Sequence, residues 1–137
     1  MAKFTLVSDP HPTLSPIQSL FEFLIDFKNF ASILPPDKIE NFNVFEDGCS
    51  FSIKGITHLT VKIKEKQAND FILFSSEGLA KFNFDLKAIF NGEATQTGDC
   101  LIEMYGDLNP FIKTMVEKPL LSLINTMSLK LSQLKLN

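Results

Sequence analysis

Across residues 39–105 apolar and polar side chains alternate with a period of two, and across residues 109–136 the period becomes that of a helix. No other feature constrains the fold as strongly, because a period of two buries one face of a strand and a period near 3.6 buries one stripe of a helix. An antiparallel sheet built from such strands has one apolar face that needs a cover. The last segment supplies it. Asn109 reads as its N-cap and Pro110 as its first helical residue, where a missing N–H costs nothing. Ile112, Val116, Leu120, Leu123, Met127, Leu131 and Leu134 then fall along one face. At ~1.5 Å per residue, a helix of about 26 residues is roughly 39 Å long, whereas a compact chain of this length has a radius of gyration of about 14 Å. The helix is about as long as the domain is wide. Pro119 lies inside it and removes one backbone hydrogen bond, yet the stripe continues, so a kink is expected there and not an end. Residues around Met115 and Val116 would face the mouth of any pocket beneath, and those beyond Leu120 would seal the sheet.

The elements before the helix follow from the same reasoning. Residues 3–8 alternate as a first strand, which Asp9-Pro10-His11-Pro12 stops. Ser15-Pro16-Ile17-Gln18 reads as a helix start, with Ser15 as N-cap and Gln18 in the capping-box position. Ile17, Leu20, Phe21, Leu24 and Ile25 form its buried face, and residues 29–34 form a second short helix that Pro35-Pro36 ends. Strands are expected over residues 41–46 and 49–54, joined at Asp47-Gly48, and then over 57–65, 71–75, 81–90 and 100–105. The order is β, α, α, six β, α. This is an α+β chain in which a seven-stranded curved antiparallel sheet wraps round a long C-terminal helix. With 137 residues and no compositional break, residues 1–137 make one domain.

Composition narrows the function. Phe occurs 14 times, Tyr once and Trp never, so the rings can fill a core or line an apolar cavity without polar partners. All 13 basic residues are Lys and the net charge is -3. With no Arg for bidentate phosphate contacts and no concentrated basic footprint, no nucleic-acid partner is expected. The alternation Lys62, Lys64, Lys66 reads as a solvated strand face. Residues 1–7 carry no leader-like apolar run, and no stretch is long enough to cross a bilayer, so a cytoplasmic chain without integral membrane association is expected. Cys49 and Cys100 lack CxxC spacing and share strand parity with Phe51 and Ile102, which reads as two buried thiols and no metal site.

Groups for acid–base or nucleophilic chemistry are few. His58 falls on the outward parity of its strand beside Thr60 and Lys62, and His11 lies between prolines. Tyr105, the single phenol, shares parity with Glu103 where the last strand meets the helix. Glu22 and Asp26 are neighbours on the first helix, a spacing that an exposed helix face explains. No HExxH, GxSxG, P-loop or dinucleotide fingerprint occurs, and no catalytic residue or cofactor is assigned.

Ile25-Asp26-Phe27-Lys28-Asn29-Phe30 with Leu34-Pro35 is similar to the helix-pair segment of the START and birch-pollen-allergen superfamily (the SRPBCC group), and Asn109-Pro110-Phe111 resembles the lead into its long helix. The resemblance covers essentially the whole chain and points to the small bacterial members without assigned function. It implies the helix-grip fold and an apolar ligand held between sheet and helix. Two features depart from the group. Residues 54–80 contain nothing like the glycine-rich loop of the plant allergens, and the Arg used deep in aromatase-type cyclases is absent. The lining expected from the resemblance and from strand parity is Phe30, Phe51, Ile53, Leu59, Val61, Phe84, Leu86, Ile102, Met104, Ile112, Met115 and Val116. Met104, Met115 and Met127 add side chains that adapt to varied apolar shapes. The expected partner is thus a hydrophobic small molecule or lipid. A cyclase- or hydratase-like enzyme and an interaction module resembling the chaperone activators are the alternatives.

Overall fold

The computed structural model describes residues 2–78 and 83–136. Seven strands lie side by side in the order β1 (Ala2–Val7), β8 (Asp99–Leu108), β7 (Asn83–Asn91), β6 (Phe71–Gly78), β5 (Thr57–Gln67), β4 (Gly48–Ile53) and β3 (Ile39–Phe45), every neighbouring pair antiparallel. The strand expected over residues 81–90 is β7, and residues 81 and 82 lie outside the described residues. An eighth strand, β2 (His11–Pro12), corrects the reading of residues 9–12 as a plain stop. β1 and β2 are two pieces of one sheet edge, pairing with opposite ends of β8. Ser8 makes the join: its N–H donates to the carbonyl of Ile102 and its hydroxyl accepts from the N–H of Ile102, both at 2.9 Å. An edge tolerates Pro10 and Pro12 because no further strand needs their missing N–H groups.

The β3–β4 hairpin forms where expected, with a different use of its glycine. Phe45 pairs with Gly48, so Glu46 and Asp47 make the turn and Gly48 opens β4. A Cβ on Gly48 would run into the carbonyl oxygen of Val61 on β5, so close strand approach requires glycine there. At the outer edge of the sheet, the β3 register shifts between Glu40 and Asn43, and Asn41 has a φ of 57°.

α1 (Ile17–Leu24) buries Ile17, Leu20, Phe21 and Leu24 as its pattern requires. Its N-cap is Pro16, not Ser15. The Ser15 hydroxyl instead donates to the carbonyl of Leu134 (2.6 Å) and accepts from the N–H of Leu136 (2.7 Å), so tertiary structure wins over the local cap. The second short helix is a 3-10 helix over Phe27–Ile33, capped by the Asp26 carboxylate, which accepts from Lys28 N–H at 3.0 Å.

α2 (Pro110–Gln133) starts as expected, with the Asn109 side chain accepting from Phe111 N–H at 2.8 Å, and it runs through Pro119. Its buried side begins at Leu120 and continues through Leu123, Ile124, Met127 and Leu131. The first half differs from expectation: Ile112 is 39% and Met115 65% exposed, and Val116 is half-buried against the core. At ~100° per residue, Met115 sits about 140° round the axis from Leu120, so burying one turns the other outward. The three- and four-residue steps identify which residues share a face, but the sheet reaches that face only in the second half of the rod.

Candidate functional site

The inward positions of the curved sheet face α1, the 3-10 helix and the second half of α2, and the space between them is filled. Phe30 stands at its centre, its ring centroid 5.3 Å from that of Phe74 in an edge-on arrangement and 6.1 Å from Phe51. Phe27 packs on both Phe30 and Phe74, and Phe42 stacks on Phe51 at 6.1 Å. Such ring pairs fix the 3-10 helix against β4 and β6 without any polar partner.

Among the described residues, a small and largely closed void lies beside this cluster. Leu24 from α1, Phe30 and Ile33 from the 3-10 helix, Phe74, Leu86, Ala88 and Ile102 from the sheet and Met127 from α2 line it, and its volume is about 10 Å³. That is room for one water molecule at most, and an all-apolar wall offers that water no hydrogen bond. Phe30, Leu86 and Ile102 of the expected lining reach the void. Phe51, Ile53, Leu59, Val61, Phe84 and Met104 are buried elsewhere in the same core, while Ile112 and Met115 face solvent. Ala88, which is outside the expected lining, lies opposite Ile102 on β8 and leaves space because its side chain is small. Its signal was a small residue on an inward strand position. Met127 and Leu24 carried a signal too, as members of the two helix stripes.

The interior is also electrostatically blank. Among the described residues, every buried side-chain nitrogen or oxygen has a hydrogen-bond partner; the Ser76 hydroxyl, for example, donates to the carbonyl of Phe84 at 2.7 Å. Cys49 and Cys100 point inward and are buried, and desolvation pushes each thiol up to about 12, so both are neutral in the ordinary pH range. The groups weighed for catalysis lie elsewhere. His58 is exposed, with its Nδ1 2.9 Å from the Ser52 hydroxyl, and Tyr105 sits beside Asp85 on the outward positions of β8 and β7. Asp26 is occupied as a cap, and Glu22 accepts from Gln18 on the surface. Lys62 and Lys64 of the outward lysine row pair with Asp47 and Asp85 at 3.5 and 3.4 Å. Among the described residues, no three His, Cys, Asp or Glu side chains gather as a metal site. No helix among the described residues is long and apolar enough to cross a membrane.

A sheet gripping a long C-terminal helix is shared with several solved structures. A START superfamily protein from Mycobacterium smegmatis matches with a TM-score of 0.65 over 93% of this chain and 96% of its own, at 8% identity. The fold is START-like. The TTHA0849 protein from Thermus thermophilus matches with a TM-score of 0.67 at 12% identity, covering 94% of each chain. CalU16 from Micromonospora echinospora matches with a TM-score of 0.53 at 10% identity, over 96% of this chain and 87% of its own. No family model and no curated protein sequence matches. At these identities the START-like likeness is one of architecture, and the side chains of the interior are this chain's own.

Proposed function

We propose that this START-like chain binds a hydrophobic small molecule or lipid chain between the sheet and α2, and that it opens to do so. The observation that carries the reading is the void beside Phe30 and Met127, where α1, the 3-10 helix, the sheet and α2 meet and every lining side chain is apolar. The interior is nearly closed, so a ligand has to open it. A drug-sized site spans about 300–1,000 Å³. An empty apolar hollow costs about 24 cal/mol per Å³, so about 300 Å³ held open would cost on the order of 7 kcal/mol. That is comparable with the whole stability of a domain, about 5–15 kcal/mol. A ligand that loses about 300 Å² of apolar surface returns a similar amount at about 25 cal/mol per Å². Opening and filling therefore occur together. The first half of α2 supports the reading, because no large side chain of the helix before Leu120 is fully buried and Val116 is only half-buried against the core, so less packing holds this half than the second.

Titration with N-phenyl-1-naphthylamine, an uncharged apolar fluorophore, tests the proposal. Saturable one-to-one fluorescence is expected from the native chain. Met127→Ala, which enlarges the void, should tighten binding several-fold, and Ala88→Leu, which fills it, should abolish binding. No saturable signal from either the native chain or Met127→Ala would end the reading.

A second reading rests on Phe111, 75% exposed, beside Ile112 and Met115. On this reading the half-helix docks into an apolar groove of a protein partner. It predicts that Phe111→Ser with Met115→Ser abolishes co-purification of that partner while Ala88→Leu leaves it intact.

A further inference from the structure

We propose that a groove on the outer side of α2, separate from the interior, binds a small amphipathic monoanion: a carboxylate on a short hydrocarbon chain. The groove holds about 480 Å³ between α2 and the link from β1 to β2. One wall is a stripe of the helix carrying Lys118, Leu121, Ser122, Asn125 and Leu129, and the other is formed by Asp9 and His11. Hydrogen bonds fix the two walls to each other. Asp9 N–H donates to Asn125 Oδ1 at 2.8 Å, His11 Nδ1 lies 3.0 Å from Ser128 Oγ, and Leu14 N–H donates to the carbonyl of Ser132 at 2.9 Å. A site already held in shape loses little ordering entropy when it binds.

The polar groups left over are mostly donors. Among the described residues the ion pairs are those of Lys54, Lys62 and Lys64, so the Lys118 ammonium has no acidic partner. Asn125 spends its oxygen on Asp9 and, among the described residues, neither its amide hydrogens nor the exposed Ser122 hydroxyl has a hydrogen-bond partner. Lys118, Ser122 and Asn125 follow at steps of four and three, so the ammonium, hydroxyl and amide stand in one row on the helix surface. His11 uses Nδ1 on Ser128 and leaves Nε2 for the groove. Leu121 and Leu129 supply the apolar flank that a hydrocarbon chain needs. The Asp9 carboxylate borders the same groove and repels any anion, a doubly charged one about twice as strongly, so a carboxylate is favoured over a phosphate monoester.

Amide chemical shifts recorded during titration with hexanoate, and separately with hexan-1-ol, test the site. Hexanoate should give saturable shifts at Ser122, Asn125 and His11 and bind at least fivefold more tightly than the alcohol. Lys118→Gln, a change on the exposed surface, should remove that preference, and Ala88→Leu, which fills the interior void, should leave it. Shifts confined to residues such as Phe30, Ile102 and Met127 would overturn the proposal. So would no saturable shift at all, an equal response to acid and alcohol, or a preference that survives Lys118→Gln. Because the interior probe is uncharged and reports on Ala88→Leu, failure of either site leaves the other measurable.

Discussion

The ring nitrogen Nδ1 of His11 lies 3.0 Å from the hydroxyl of Ser128, across 117 positions of the chain. Ser128 is fully buried, and its hydroxyl also lies 3.4 Å from the carbonyl oxygens of Asp9 and Cys100. One hydroxyl thus ties the β1–β2 link and β8 to α2. Ser128→Ala is expected to cost about 1–2 kcal/mol, the range for losing a buried hydrogen-bonding group. His11→Ala should cost less, because the hydroxyl keeps its carbonyl partners. Urea unfolding of the two variants ranks them, and equal costs would count against Ser128 as the joint.

The two halves of α2 should differ sharply under truncation. Leu120 is fully buried and Met115 is mostly exposed. Leu120→Ala is expected to lose about 2–5 kcal/mol, and Met115→Ala to stay within about 0.5 kcal/mol of the native chain. Thermal and urea melts read both.

Pro119 separates those halves and withholds one N–H from the helix ladder. Pro119→Ala should restore that bond and stabilise the first half locally by about 1–3 kcal/mol. Slower amide hydrogen exchange over residues 111–119, with exchange beyond Leu120 unchanged, is the expected result. If opening uses this half, probe binding should slow as well.

Alkaline pH should destabilise the chain through its buried thiols. Burial raises both Cys49 and Cys100 from 9.0 to about 12. In that window the unfolded chain has released protons that the native chain still holds, so stability is complete below the lower value and falls as pH rises toward the upper one. Each thiol contributes a slope of about 1.4 kcal/mol per pH unit. Tyr105 acts in the same direction, because partial burial, and then the charges of Glu103 and Asp85, raise its phenol. The melting temperature should drop between about pH 7 and about pH 10.5, and drop less in Cys49→Ala/Cys100→Ala. An equal drop in both proteins would remove the thiols as the cause.

The element order was readable because strand and helix periods depend on neighbours in sequence. What was hidden depends on contacts between distant residues. Ser15 looks like a helix cap, and its hydroxyl is drawn away by Leu134 and Leu136 at the other end of the chain. β2 has two residues, too few for a period to show. Ile112 keeps step with Leu120, yet nothing in the spacing says where the sheet stops reaching the helix. The interior was legible as a class of apolar inward positions, and the void at Ala88 only as one small residue among them. The groove at His11 and Lys118 had no signal, because its walls lie more than a hundred positions apart and share no motif.

The outer strand β3 has a final consequence, for self-association. Val44 and Phe45 are exposed at the β3 edge of the sheet, where a neighbouring molecule could extend the ladder. The left-handed Asn41 and the register shift between Glu40 and Asn43 break the row of outward donors and acceptors. An incoming strand meets regular spacing only over residues 43–45, too short a template to hold it. At this edge the chain therefore carries Val44 and Phe45 without offering a long regular template for another strand.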